Sequence, residues 1–217
     1  LPGQYMDYEK ISRAVAQMNK NPDRQVKASL QAGEKQGLSD LSLTAQTTFP
    51  VHLTASLDNS GAYSSGKIRS GAGIRHNNFL KLDDMFLSGY VFGNQFSGKY
   101  FYHSLPVSPG GMSLLYGTSY SKATPKKDLS IYNLLSKSRS TTFSLHQDVY
   151  NKEKIIGELY GGLDFNDKTT SLNTGTYTKD RLRIASLGAT LTNSQGTAAT
   201  TINPEINQGI TALGASA

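Results

Sequence analysis

The chain has 217 residues, of which 37% are hydrophobic and 18% charged, with a formal net charge of +6. It contains no cysteine, which excludes a disulfide framework, a thiolate nucleophile and a Cys-based metal site. No run approaches the ~18 apolar residues of a spanning helix, and the 22 basic residues are scattered rather than gathered into a nucleic-acid arm.

Residues 1–20 carry a helical period. Tyr8, Ile11, Val15 and Met18 recur at helical spacing with Ala14 beside them, and Asp7 and Glu9 sit where a helix start favours acids. Pro22 ends the element, because the residue before a proline is pushed out of the α region. The pattern predicts an amphipathic helix with one buried face. Two alternating runs follow, 24–33 and 37–47, joined by "GEKQG", a hairpin loop with permissive glycines at both ends.

From Pro50 onward the helical period disappears. Alternating runs are predicted at roughly 50–58, 66–76, 84–94, 98–106, 110–121, 139–150, 153–165 and 179–192, with a ninth beginning near 206. In "HLTASLDNSGAYSSGKIRSGAGIRHNN" Leu53, Leu57, Ile68 and Ile74 oppose His52, Asp58, Lys67, Arg69 and Arg75. Later runs repeat the division: Phe143, Leu145 and Val149 oppose Ser144, His146 and Asp148, and Leu159 and Leu163 oppose Glu158 and Asp164. Short connections at "SGAYS", "NQFS" and "VSPG" against longer ones at 122–138 and 193–205 suggest short turns at one end and loops at the other. The 179–192 run breaks phase between Ile184 and Leu187, either at a bulge or because alternation misassigns the run there. Periodicity alone fits a soluble β-sandwich as well as a membrane barrel. Long strands, apolar faces rich in Gly and Ala, and 12 tyrosines favour the barrel. Tyr90, Phe92, Tyr100, Phe101, Tyr102 and Tyr150 are candidates for its interfacial girdle.

Catalytic chemistry is not expected. The four histidines, His52, His76, His103 and His146, lie on separate strands and are expected as wall or surface residues rather than metal ligands. "SPGG" and "YGG" do not continue into a phosphate loop. Asp83 and Asp84 suit a turn. No enzyme activity, metal or cofactor is predicted.

At this point the residues carry a family. "ISRAVAQMNKNPDRQVKASLQAGEKQGLSDLSLTAQTTFP" resembles the end of the second POTRA domain of two-partner secretion transporters, the haemolysin and filamentous-haemagglutinin secretion/activation proteins. The matching positions are Met18-Asn19, Asn21 through Arg24, Val26, Ala32-Gly33, Gly37 and Ser39-Asp40-Leu41. "LDNSGAYSSGKIR", "NNFLKLDDMF", "YHSLPVSPGG", "SRSTTFSL" and "INQGITALGAS" are similar to later family segments, in family order.

The resemblance implies an Omp85-superfamily outer-membrane protein: residues 1–48 as the C-terminal part of a periplasmic α+β POTRA domain, and 49–217 as the N-terminal half of a transmembrane antiparallel β-barrel. Its expected role is a pore that recognises an unfolded partner in the periplasm and exports it to the cell surface. The expected partners are a large secreted β-helical protein and outer-membrane lipid, with no nucleic acid. A barrel insertase of the same superfamily and a soluble β-sandwich binding module are the alternatives. Residues 24–32 are the candidate client-binding strand, with Arg24, Val26, Lys27, Ala28 and Leu30, since a sheet edge captures extended chain through its backbone; the other reading makes it an internal POTRA strand. The candidate pore-lining residues are His52, Asp58, Lys67, Arg69, Arg75, His146, Asp148, Glu158 and Asp164.

Overall fold

The computed structural model describes residues 6–216 apart from 36, 153, 174 and 196. Helix α1 spans Tyr8–Met18 and is capped by Asp7, whose side chain accepts a hydrogen bond from the Lys10 N–H at 3.1 Å. It stops at Asn19, whose side chain turns to the next strand. Strands β1 (Arg24–Ala32) and β2 (Ser39–Thr47) form an antiparallel hairpin in unbroken register from Arg24↔Thr47 to Ala32↔Ser39. The expected buried helical face is only half-buried. Ile11, Val15 and Met18 are partly covered, and Tyr8 is 74% exposed. A two-stranded hairpin offers one narrow layer of cover, and Val26 is the buried hydrophobic residue of the described set.

The rest is one ten-stranded antiparallel sheet in chain order. It comprises β3 (Val51–Asp58), β4 (Arg69–Asn77), β5 (Met85–Gly93), β6 (Phe96–Pro106), β7 (Met112–Ala123), β8 (Leu135–Lys152), β9 (Ile155–Leu172), β10 (Gly175–Gln195), β11 (Ala198–Ile202) and β12 (Glu205–Gly209). The last two both lie along β10, so they are one strand broken near Pro204, which has no N–H to give a ladder. The sheet is not closed: β3 forms one edge and β11 with β12 the other.

All predicted strands are present, but three expectations fail. Strands β8, β9 and β10 outrun their predicted ends, and β11 occupies much of the expected 193–205 loop. Segments such as "LSKS", "NDKTTS" and "TYTKD" are polar on both faces, so alternation cannot mark them. Connections do not sort by length either. The end near α1 has turns at 78–84 and 107–111, while the far end mixes the two-residue turn 94–95 with loops 59–68 and 124–134. The third failure is the bulge: register is continuous from Thr178 to Asn193, and the shifts lie at Thr176/Thr178 and Asp148/Tyr150. Ile184 simply faces the polar side.

Register fixes two faces, because directly paired residues share one. One face carries Leu53, Ile74, Tyr90, Phe101, Leu114, Phe143, Leu145, Leu163 and Leu187. The other carries Thr54, Gly73, Gly89, Tyr100, Ser119, Ser140 and Asn166. Leu53, Leu145 and Leu187 are 79%, 51% and 66% exposed. Among the described residues nothing packs across this apolar face, as expected of a surface that meets an apolar surrounding.

Candidate functional site: the polar face and its junction with the helix

Glycine and tyrosine build the polar face together. Gly89 stands opposite Tyr100, Gly117 opposite Tyr102, and Gly188 opposite Tyr160. Each ring lies flat over its glycine: a Cβ on Gly117 would fall 2.1 Å from Tyr102 Cδ1, and one on Gly188 2.4 Å from Tyr160 Cζ. The wall is therefore thin and smooth where side chains of ordinary size would crowd it. This corrects two expectations. Most of these glycines belong to the polar face, and Tyr100 and Tyr102 are wall residues, whereas Tyr90, Phe92 and Phe101 do lie on the apolar face.

The candidate polar residues share this face. His52 pairs with Arg75 and Asp58 with Arg69 across β3 and β4, while Lys67 lies in the 59–68 loop, two residues before β4 and outside the paired register. Arg69 also lies 4.2 Å from the Phe96 ring centroid. On β8 and β9, Asp148 pairs with Glu158, His146 with Tyr160, and Asp164 with Thr142, whose hydroxyl donates to it.

Three of these positions have structural employment that the sequence did not reveal. Asp148 is engaged by Gln17 and Lys20 of the helical segment, and its side chain is 6% exposed. His52 Nε2 lies 2.9 Å from both carboxylate oxygens of Asp23, which also accepts from Asn77 Nδ2 at 2.7 Å and Thr48 Oγ1 at 3.2 Å. The His52 bond, helped by Asn77 and Thr48, outweighs burial and holds the Asp23 carboxyl below its ordinary range. Arg24 forks onto Asp83 at 2.8 and 2.7 Å and donates to the Met18 carbonyl, so its guanidinium is engaged within the chain. Together these pairs seat the helix and hairpin against the near end of the sheet. Gln17, Lys20, Asp83, Asp84, Met112 and Glu158 line a cavity of about 550 Å³ at that seam.

Strand β1 keeps an edge. Asn19 occupies the outward backbone of Val26, accepting from its N–H at 2.6 Å and donating to its carbonyl at 3.0 Å. Backbone groups of the same parity, at Ala28 and Leu30, point the same way, and among the described residues β1 pairs only with β2. Lys27 turns its backbone to β2. Among the described residues the unpaired edge of β1 is thus shorter than the 24–32 strand and starts after Val26.

Two further histidines are tied into side-chain networks. His103 is buried on the apolar face between Asp84 (Nε2 to Oδ2, 2.7 Å) and Tyr116 (Nδ1 to Oη, 2.8 Å). Asp84, 1% exposed, also accepts from the Leu80 N–H at 2.8 Å, tying down a turn in which Asn78, Lys81 and Asp83 all have positive φ. Burial opposes the Asp84 charge, but the bonds from His103 and the turn outweigh it and keep its carboxyl low. His146 accepts or donates between Ser144 Oγ (2.9 Å) and Glu158 Oε1 (2.8 Å) and stacks on Tyr160. Ser, His and Glu in this order resemble a nucleophile relay. Strand β8 is paired on both sides, however, so the neighbouring backbone N–H groups are consumed in ladders and none is aimed at a developing oxyanion. Among the described residues no cluster of His, Cys, Asp or Glu has the make-up of a metal site.

Comparison with known proteins agrees with this geometry. The family model described as "Haemolysin secretion/activation protein ShlB/FhaC/HecB" matches residues 37–217. The outer membrane transporter CdiB of Dickeya dadantii (strain 3937) is 24% identical over 225 residues, covering 98% of this chain and 40% of the relative. An Escherichia coli outer membrane transporter CdiB is 28% identical over 117 residues, covering 54% of this chain and 19% of its own. Among solved structures, CdiB from Escherichia coli superposes with a TM-score of 0.80 at 23% identity, covering 99% of this chain and 41% of that one. BamA from Haemophilus ducreyi lacking POTRA domains 1–3 gives a TM-score of 0.58 at 12% identity, covering 96% of this chain and 44% of that one. These likenesses show a shared barrel fold. The chain spans well under half the length of the relatives it matches.

Proposed function

Because the chain belongs to the haemolysin secretion/activation protein family, we propose that it is part of an outer-membrane pore that takes an unfolded partner protein from the periplasm and passes it to the cell surface. The observation that carries this reading is the two-faced sheet, apolar on one side and polar on the other, with a helix and hairpin seated at one end. Residues 49–217 supply part of the barrel wall, and residues 1–48 the end of a periplasmic POTRA domain. The polar face lines the passage. Mixed charge from Asp58, Lys67, Arg69, Arg75, Glu158 and Asp164, with His52 and His146, keeps an extended client hydrated without holding it by one sign of charge. Asp148 closes the seam with the helix rather than meeting the client. The client is a large β-helical protein whose folding outside drives the passage.

Capture begins at the β1 edge. An extended segment adds a strand through the outward backbone of Ala28 and Leu30, and alternate side chains read it. The test is Ala28→Pro or Leu30→Pro in the full-length protein. Each removes an N–H that points away from β2, so the hairpin persists, as edge strands tolerate such prolines. Surface export of the partner encoded alongside is expected to fall about tenfold, on the scale of ~1.4 kcal/mol of lost binding, with barrel levels unchanged. Undiminished export from both variants contradicts capture at this edge. Undiminished export from a strain lacking the whole protein contradicts the export role itself. The BamA likeness concerns fold alone, and the family match favours export over insertion.

A further inference from the structure

The apolar face does not stay apolar to its far end. Two adjoining rows of directly paired residues cross it there. One runs Tyr90, Lys99, Tyr120, Arg139, Asp167, Arg181; the next runs Phe92, Ser97, Lys122, Lys137, Thr169, Lys179. Six bases thus stand in these two rows, all exposed, against the single acid Asp167. That acid is already held by Arg183 at 2.8 Å. None of the six forms an ion pair with a described residue, and Lys99 instead approaches the Tyr120 ring at 5.9 Å.

Two features argue that this belt meets an anion. Lys122 and Lys137 stand directly opposite each other on β7 and β8. Like charges so placed destabilise a sheet unless something negative lies between them. The belt also follows the limit of the apolar band. On β5 that band reaches Phe92, on β7 Tyr120, and on β8 only Phe143, a stagger expected of strands tilted against the barrel axis. From Gln147, at the α1 end of β8, to Arg139 is a run of about 26 Å at ~3.3 Å per residue. Tilted by ~40°, it rises about 20 Å, close to the height of a barrel's apolar band. The bases therefore stand at headgroup level, in the leaflet away from the helix.

We propose that Lys99, Lys122, Lys137, Arg139, Lys179 and Arg181 bind the phosphate groups of a phosphorylated glycolipid packed against the outer wall, its acyl chains covering the leucines and phenylalanines below. The inference rests on the outer-membrane reading. Charge complementarity names the headgroup, and the adjoining apolar face names the lipid as its source.

The test uses the full-length protein in detergent, with bisphosphorylated lipid A, dephosphorylated lipid A, phosphatidylcholine and inorganic phosphate as probes. Bound lipid is counted by native mass spectrometry. The parent is expected to retain bisphosphorylated lipid A at least tenfold better than the dephosphorylated form or phosphatidylcholine. The triple variant Lys122→Gln/Lys137→Gln/Arg139→Gln is expected to lose that preference while keeping heat-modifiable gel mobility. Inorganic phosphate at millimolar concentration should displace little of the lipid. Equal retention by parent and variant, no preference for the phosphorylated form, or full displacement by inorganic phosphate each overturns the proposal and leaves the barrel intact. A parent without heat-modifiable mobility overturns the membrane reading as well.

Discussion

The two faces of the sheet are made by opposite rules. The apolar face is filled by size: Leu, Phe and Ile project from it, and among the described residues little covers Leu53 or Leu187. The polar face is filled by fit: glycines are spaced so that Tyr100, Tyr102 and Tyr160 lie down on the wall, with Ser, Thr and charged groups between them. A face exposed to lipid needs bulk and no charge, but tolerates changes of shape. A wall around a passage tolerates charge and resists added volume. The same substitution should therefore have opposite consequences one residue apart.

The largest expected effect is a charge on the apolar face. Leu145→Arg, at mid-strand on β8, should cost about 2–4 kcal/mol of folding free energy in lipid. Ser144→Arg, next to it but on the polar face, should cost well under half of that. Urea unfolding in bilayers measures both, and equal costs would erase the distinction between the faces. Removing a buried partner comes next. Asp84→Ala strands His103 and the turn N–H groups and should destabilise by about 3 kcal/mol in the same assay. Asp84→Asn should recover part of this loss, since the amide oxygen still accepts.

Volume separates the faces in the other direction. Gly117→Ala drives a Cβ into Tyr102 and should cost about 1–3 kcal/mol. Gly161→Ala, on the apolar face with its nearest neighbour at 3.6 Å, should be almost neutral.

What was legible in the sequence follows from these rules. Period 2 is a property of faces, so Leu53 against His52, or Leu145 against His146, divides correctly without any tertiary knowledge. Strand ends were not legible where both faces turn polar, as in 166–172. The belt of Lys122, Lys137 and Lys179 was invisible for the same reason: its members are distant in sequence, and only register aligns them. Pairing between carboxylate and imidazole was missed because Asp23 and His52 lie 29 residues apart and Asp84 and His103 lie 19 apart. Arg24 looked like part of a binding strand because sequence could not place Asp83 across from it.

The smallest expected effect is the response of the junction to acid. Asp23 has a folded value below its ordinary 3.8, so its contribution is complete above that value and is lost as pH falls through the depressed one. Amide exchange in 24–32 and 39–47 should accelerate below about pH 4, before the β7 to β9 ladders respond. Simultaneous loss of both would mean that the seam and the sheet are one cooperative unit.

The central claim is that one face of the sheet meets lipid and the other an aqueous passage. The chain has no cysteine, so single cysteines at 141 through 146 can carry spin labels without background. In bilayers, labels at 141, 143 and 145 should collide mainly with oxygen, and those at 142, 144 and 146 mainly with a water-soluble nickel complex, alternating strictly with period 2. Nickel access at both phases alike would contradict the account.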